Sequence, residues 1–189
     1  MIAGDASRKL ILLRHAKSAW PAVPDHERPL AARGQRDAPI IGRWLLDAGH
    51  MPDQVLCSTA RRARETYDLV RHGLQATPAV TFDDRIYGAS AAQLAELVRD
   101  TASGTRTLML VGHDPAIPDL TLALAHAMAE GDAASGALSR IAAKFPTAAV
   151  AVLQSEGTWG QLCPGSMRLT GFVTPRNLRA SGARGARPT

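Results

Sequence analysis

The chain is poor in several things that would mark particular classes of protein. Cysteine occurs twice in 189 residues, as Cys57 and Cys163, with no CxxC pair. Two distant thiols make neither a disulfide scaffold nor a zinc ribbon; each reads as small buried filler, and the pair suits a reducing cytoplasm. Aromatics make up 4%, too few for the stacking platforms that accompany a basic face in strand or base recognition. No apolar run approaches the ~20 residues of a membrane helix. The first such run, residues 10–13, stops at Arg14 and lacks the layout of a signal peptide. Lysine occurs only three times against 19 arginines, which reads as coding bias. Acid is absent from residues 176–189, which hold Arg176, Arg179, Arg184 and Arg187.

That last absence explains the net charge of +5 and the pI of about 9.9. Without those fourteen residues, 18 basic residues face 17 acidic ones, so the body is nearly neutral. The basic balance is mostly a tail, and no nucleic-acid partner is expected. The remaining composition, 46% hydrophobic and 21% charged, is that of a globular chain long enough for one domain with a sizeable core. The expected division is a single domain over residues 1–175 and a basic, flexible tail over residues 176–189.

Short apolar runs at residues 9–13, 54–57, 107–111 and 148–153 read as buried strands, and 78–82 as an edge strand. Residues 158–162 and 167–173 read as a closing hairpin around Pro164-Gly165. Helical stripes cover residues 31–48, 60–74, 91–101 and 117–129. Pro39 kinks the first helix or marks its true start, and Gly49 stops it. Ser58 or Thr59 caps the second helix and Ser90 the third. Residues 130–138, small and polar, read as a loop. Strands alternating with helices imply an α/β domain with a mostly parallel central sheet.

Polar clusters follow the strands, where open α/β sheets bind ligands. Arg14-His15-Ala16-Lys17-Ser18 places an imidazole beside a guanidinium, a nucleophile next to a phosphate binder, although the same dipeptide also makes ordinary surface turns. Ser58 to Thr66 opens a helix with arginines in its first turn, where backbone N–H groups favour an anion. Gly112-His113-Asp114-Pro115 follows the most strand-like run. Asp83-Asp84-Arg85-Ile86-Tyr87-Gly88 offers a carboxyl as general acid, or simply a turn. The two histidines with Asp84 or Asp114 are also a possible metal set. Arg14 and Arg62 argue against it, since two guanidiniums repel a cation and attract a phosphoryl group.

Arg14-His15-Ala16 resembles the Arg-His-Gly signature of the histidine phosphatase, or phosphoglycerate mutase-like, superfamily. The run from Ser58 to Thr66 resembles its Ser-x-x-x-Arg-Ala-x-x-Thr motif, singling out Arg62, and Gly112-His113 resembles its second-histidine motif. Residues 25–30 with Gly34, the segment 144–147 and the segment 175–178 are similar to the SixA-type phosphohistidine phosphatase branch. The resemblance, over residues 9–178, implies a three-layer α/β/α sandwich and a phosphatase without metal or cofactor. It implies that His15 attacks phosphorus while a backbone carbonyl holds its other ring nitrogen. Arg14, Arg62 and His113 then surround the equatorial oxygens, Ser18 and Arg28 add phosphate contacts, and Asp84 is the candidate leaving-group acid. The implied partner is a phosphorylated substrate, including a phosphohistidine protein. The alternatives are a small-molecule phosphatase or mutase of the same superfamily and, more remotely, a phosphate-binding module without turnover.

Overall fold

A computed structural model describes residues 7–126 and 133–185. Its sheet contains β1 (Arg8–Arg14), β2 (Gln54–Ser58), β3 (Ala79–Asp83), β4 (Thr107–Gly112), β5 (Ala125–His126), β6 (Val150–Ser155) and β7 (Met167–Val173), in the order β3-β2-β4-β1-β6-β7-β5. β6 runs antiparallel to both its neighbours, and every other pairing is parallel. The sheet is therefore mostly parallel, with β3 at one edge as expected.

The apolar runs form strands because both faces of the sheet are covered. Leu10, Leu12, Leu108 and Leu110 enter a core with α3 (Ala91–Arg99), α4 (Ala116–Leu124) and α5 (Ala133–Ala143). The alternate residues Ile11, Leu13, Met109 and Val111 enter a second core with α1 (Ala32–Asp47) and α2 (Arg61–Leu74). Period-two alternation thus feeds two cores, giving three α/β/α layers. Within one helical layer, Gly42 and Gly73 allow backbone contact. A Cβ on Gly42 would lie 2.1 Å from the Val70 carbonyl oxygen, and one on Gly73 would lie 2.5 Å from that of Pro39.

Several local expectations hold. Gly49 adopts φ +66°, and its N–H and that of His50 bond back to Leu46 and Leu45, closing α1 in a Schellman arrangement. Ser90 caps α3 in a reciprocal box with Gln93. Others are corrected. α1 starts at Ala32 and runs through Pro39. The N-cap of α2 is Ala60, without a side-chain cap; Ser58 instead accepts from the Ala60 N–H at 3.3 Å. α4 ends at Leu124, earlier than 129, and gives way to β5; the rest of that expected helix lies outside the described residues. Residues 133–143 are helix, because Ala137 and Ile141, four apart, bury into the core.

No hairpin forms from residues 158–162. Trp159 is buried, donates its indole N–H to the Thr105 carbonyl at 2.8 Å, and draws Trp159–Gln161 into a 3-10 turn. The partners of β7 are β6 and β5. The segment expected to be a loose tail is helical as α6 (Pro175–Gly185). Leu178 packs on the core of α1 and α2, and Arg179 pairs with the buried carboxylate of Asp37 on α1. The last four residues lie outside the described ones. Among the described residues no helix is long and apolar enough to cross a membrane.

Candidate active site

The parallel register brings the carboxyl ends of β1, β2 and β4 together. Arg14 lies opposite Gly112, and Cys57 opposite Val111. The next residues on these strands, His15, His113 and Ser58, therefore converge. The His15 N–H bonds to the Gly112 carbonyl at 2.9 Å, and the two imidazoles stand 5.1 Å apart, tilted by 57°. Both are buried.

The Nδ1 of His15 lies 2.7 Å from the Ala16 carbonyl oxygen. A carbonyl only accepts, so Nδ1 carries the hydrogen and the neutral ring keeps its lone pair on Nε2. Burial pulls the His15 pKa down to about 3, with His113, Arg62 and Arg14 adding to the fall. Burial, then Arg62, pull His113 down to about 4. Both rings are neutral at pH 7. The Nε2 of His113 lies 2.8 Å from Ser58 Oγ. That hydroxyl, already accepting from Ala60, can donate to Nε2, and the resulting tautomer carries its hydrogen on Nδ1. His113 Nδ1 and Arg14 Nε are buried without a hydrogen-bond partner among the described residues. Such atoms are uncommon in folded proteins.

The arginines are held by different means. Arg14 donates to the Phe145 carbonyl at 2.6 Å and lies 3.5 Å from Asp114. Arg62, buried on the first turn of α2, donates to the Asp25 carbonyl at 2.6 Å and to its carboxylate at 3.0 Å. Thr66 anchors this helix to the loop after β1: its hydroxyl accepts from the Ala16 N–H at 2.9 Å and donates to the Arg62 carbonyl at 2.6 Å. The motif threonine thus ties the His15 loop to the helix that carries Arg62.

Ser18 and Arg28 are both buried and bonded to each other, Arg28 Nη2 donating to Ser18 Oγ at 2.7 Å. The other Arg28 nitrogens donate to the Ala19 carbonyl at 3.0 Å and the Asp25 carboxylate at 2.8 Å. Asp84 is exposed on a 3-10 turn and forms no hydrogen bond or ion pair with Arg14, His15, Arg62 or His113. The residue of that segment that reaches the site is Tyr87. Its hydroxyl donates to Asp25 at 2.7 Å, and its ring stands 5.5 Å from His113.

Asp25 and Tyr87 carry no role in the sequence reading. Asp25 joins Arg28, Arg62 and Tyr87, and the Arg28 hydrogen bond first, then that of Tyr87, hold its carboxyl well below the usual carboxylate range. Its position three residues before Arg28 was the available signal, and the run from 25 to 30 did belong to the branch resemblance. Among the described residues no group of three His, Cys, Asp or Glu side chains is placed to hold a metal ion. Asp114, one carboxylate of the possible metal set, pairs with Arg14.

Two imidazoles and two guanidiniums converging on the carboxyl edge of a mostly parallel sheet define a class of phosphoryl-handling protein. The profile of the histidine phosphatase superfamily (branch 1) matches residues 10–158, and the chain belongs to that superfamily. An uncharacterized protein of Mycobacterium tuberculosis is 43% identical over 165 residues, spanning 87% of this chain and 100% of the relative. A Nakamurella multipartitia structure, provisionally described as the phosphohistidine phosphatase SixA, superposes with a TM-score of 0.77 at 31% identity, over 90% of this chain and 97% of that one. A phosphoglycerate mutase from Plasmodium falciparum, 18% identical, shares the fold with a TM-score of 0.57 over 88% and 91% of the two chains. Superfamily membership and the SixA-like neighbour support a phosphatase acting on phosphorylated substrates.

Proposed function

We propose that the protein is a metal-independent phosphatase that works through a covalent phosphohistidine on His15. The observation that carries this reading is the bond from His15 Nδ1 to the Ala16 carbonyl, which leaves a neutral, buried Nε2 as the nucleophile. Its lone pair attacks phosphorus, and the bond from phosphorus to the leaving oxygen or nitrogen breaks. Water then attacks phosphorus from the side opposite Nε2, the bond from phosphorus to Nε2 breaks with its electron pair returning to the ring, and inorganic phosphate leaves with the oxygen of the water while the released proton passes to solvent. Arg14, Arg62 and His113 stabilise the charge on the equatorial oxygens, which is most of what phosphoryl transfer requires. Ser18 and Arg28 act as positioning residues, through Asp25, on Arg62.

The favoured substrate is phosphohistidine on a protein. Between β3 and β4 the chain holds only a 3-10 turn and α3, and between β5 and β6 only α5 lies among the described residues. Among the described residues neither forms a large cap, and an open mouth suits a protein-borne group. A leaving imidazole also needs little acid assistance, so cleavage of a phosphoramidate does not require the exposed Asp84 to reach the site. Two free thiols, one of them buried, fit a cytoplasmic setting.

The test is to trap the intermediate. The protein is incubated with a phosphoryl donor in EDTA and quenched. The expected product is an acid-labile, base-stable phosphoenzyme that turns over to phosphate and is missing from His15→Ala. Active turnover with no such species refutes the covalent route, and a species persisting in His15→Ala refutes the nucleophile. A phosphoenzyme stable to water marks a mutase.

A further inference from the structure

Arg14 also lines a cleft of about 520 Å³, within the range of small-ligand sites. Its walls come from four parts of the chain that the sequence leaves far apart. Lys17 follows β1, Arg33 is on α1, Lys144 follows α5, and Arg176 and Arg179 are on α6. Among the described residues the single acid in the lining is Asp37, whose buried carboxylate is taken by Arg179 and lies 3.6 Å from Arg33. The side chains of Lys17, Lys144 and Arg176 are exposed and have no ion pair or hydrogen bond among the described residues. Thr174 and Pro175, at the N-terminal end of α6, also line the cleft and add the positive end of a helix. Cations from separate elements, gathered in a concavity and left uncompensated, concentrate positive potential where an anion would enter. Arg14 joins this cleft to the catalytic centre, since its charge is felt by both His15 and His113.

We propose that this cleft is a second anion subsite of the active site. The substrate carries, besides the phosphoryl group that passes to His15, a second phosphate or carboxylate held by Lys17, Lys144 and Arg176. The proposal rests on His15 being the nucleophile, and it narrows the substrate class to compounds or protein segments with two anionic groups. Two sources share this chemistry: a second phosphate on a small molecule, and an acidic side chain beside a phosphohistidine.

The test compares wild type with Lys17→Gln/Lys144→Gln/Arg176→Gln, three exposed positions outside the catalytic set. Substrates are p-nitrophenyl phosphate, a sugar bisphosphate, and phosphohistidine peptides flanked by glutamates or by serines. KM for the bisphosphate or the glutamate-flanked peptide is expected to rise at least about tenfold in the variant, as expected for lost charge-assisted contacts. Turnover of p-nitrophenyl phosphate should stay within about twofold. A rise confined to the bisphosphate identifies the small-molecule source, and one confined to the acidic peptide identifies the protein source. Equal changes for all substrates, or none, overturn the subsite. Calorimetric titration with inorganic pyrophosphate needs no turnover and separates the two readings. Weaker binding to the variant in a protein that hydrolyses nothing would keep the cleft and remove the phosphatase. Equal binding to both proteins in an active enzyme would remove the cleft and keep the phosphatase.

Discussion

The two buried imidazoles make a quantitative demand on stability. In the folded protein burial draws His15 down to about 3 and His113 down to about 4; in the unfolded chain each returns to about 6.5. Between those values the unfolded state binds more protons than the folded one, so stability falls as pH falls. From about pH 7.5 to about pH 5, linkage gives a loss of about 2 kcal/mol per histidine, or about 4 kcal/mol for the pair. The carboxylates do not confuse this window. Asp25 and Asp83 are held below their ordinary value by hydrogen bonds from Arg28 and Arg85 respectively, so both remain ionised at pH 5. His50, lowered by burial and Lys9, contributes in the same direction but is present in every variant compared. The assay is urea unfolding at the two pH values for wild type and His15→Gln/His113→Gln. The quantity read is the change with pH, so any uniform destabilisation of the variant is immaterial. The variant should lose about 4 kcal/mol less than wild type over this interval. Parallel losses in the two proteins would show that folding does not depress the two imidazoles, and burial would no longer be what keeps Nε2 unprotonated.

Three other outcomes test separate parts of the structure. Arg62→Ala should lower kcat about 10²-fold with the fold intact, and Arg62→Lys should not restore it, because one ammonium cannot span the Asp25 carbonyl and carboxylate while also meeting a phosphoryl oxygen; full rescue by lysine in steady-state kinetics would contradict this. Asp84→Asn should leave both phosphohistidine and aryl phosphate turnover within about twofold, because the exposed carboxylate bonds to none of the site residues; a loss confined to aryl phosphate at acidic pH would make Asp84 the leaving-group acid. Gly42→Val should destabilise by about 3 kcal/mol or more in chemical denaturation, since its Cβ would meet the Val70 carbonyl oxygen and force α1 from α2.

What could be read from the sequence followed the strength of the local signal. Residues 10–13 and 108–111 are continuous apolar runs because both faces of β1 and β4 are buried, and that burial leaves a mark in one dimension. His15 and His113 were legible for the same reason: each follows such a run after one intervening residue. α5 and α6 left almost no mark. The stripe of α5 is Ala137 and Ile141, and α6 contributes Leu178 and the pairing of Arg179 with Asp37, a partner 142 residues away. Trp159 and Leu162 look strand-like, yet a capping box between Thr158 and Gln161 and the indole bond to Thr105 decide the local shape. Asp25 and Tyr87, 62 residues apart, meet only in the folded site. No spacing rule predicts a contact made by two loops from different strand ends.

The net charge of +5 acquires a location from the same comparison. As composition it suggested a detachable tail, because acid is absent from residues 176–189. Were that segment loose, its arginines would contribute only a screened, nonspecific field. Instead α6 folds back on α1, placing Arg176 and Arg179 in the wall of a cleft whose other cations come from β1, the residues after β1 and α5, and α1. Asp37 makes this docking more than a charge balance. The buried Asp37 carboxylate is shared between Arg33 on α1 and Arg179 on α6, so the second pairing ties α6 to α1 and with it positions the exposed Arg176. One arginine is consumed in holding the helix, and the next but two upstream is left free to meet an anion. Two of the four arginines of that segment thus stand in the cleft that Arg14 lines, where a substrate with two negative groups would need them.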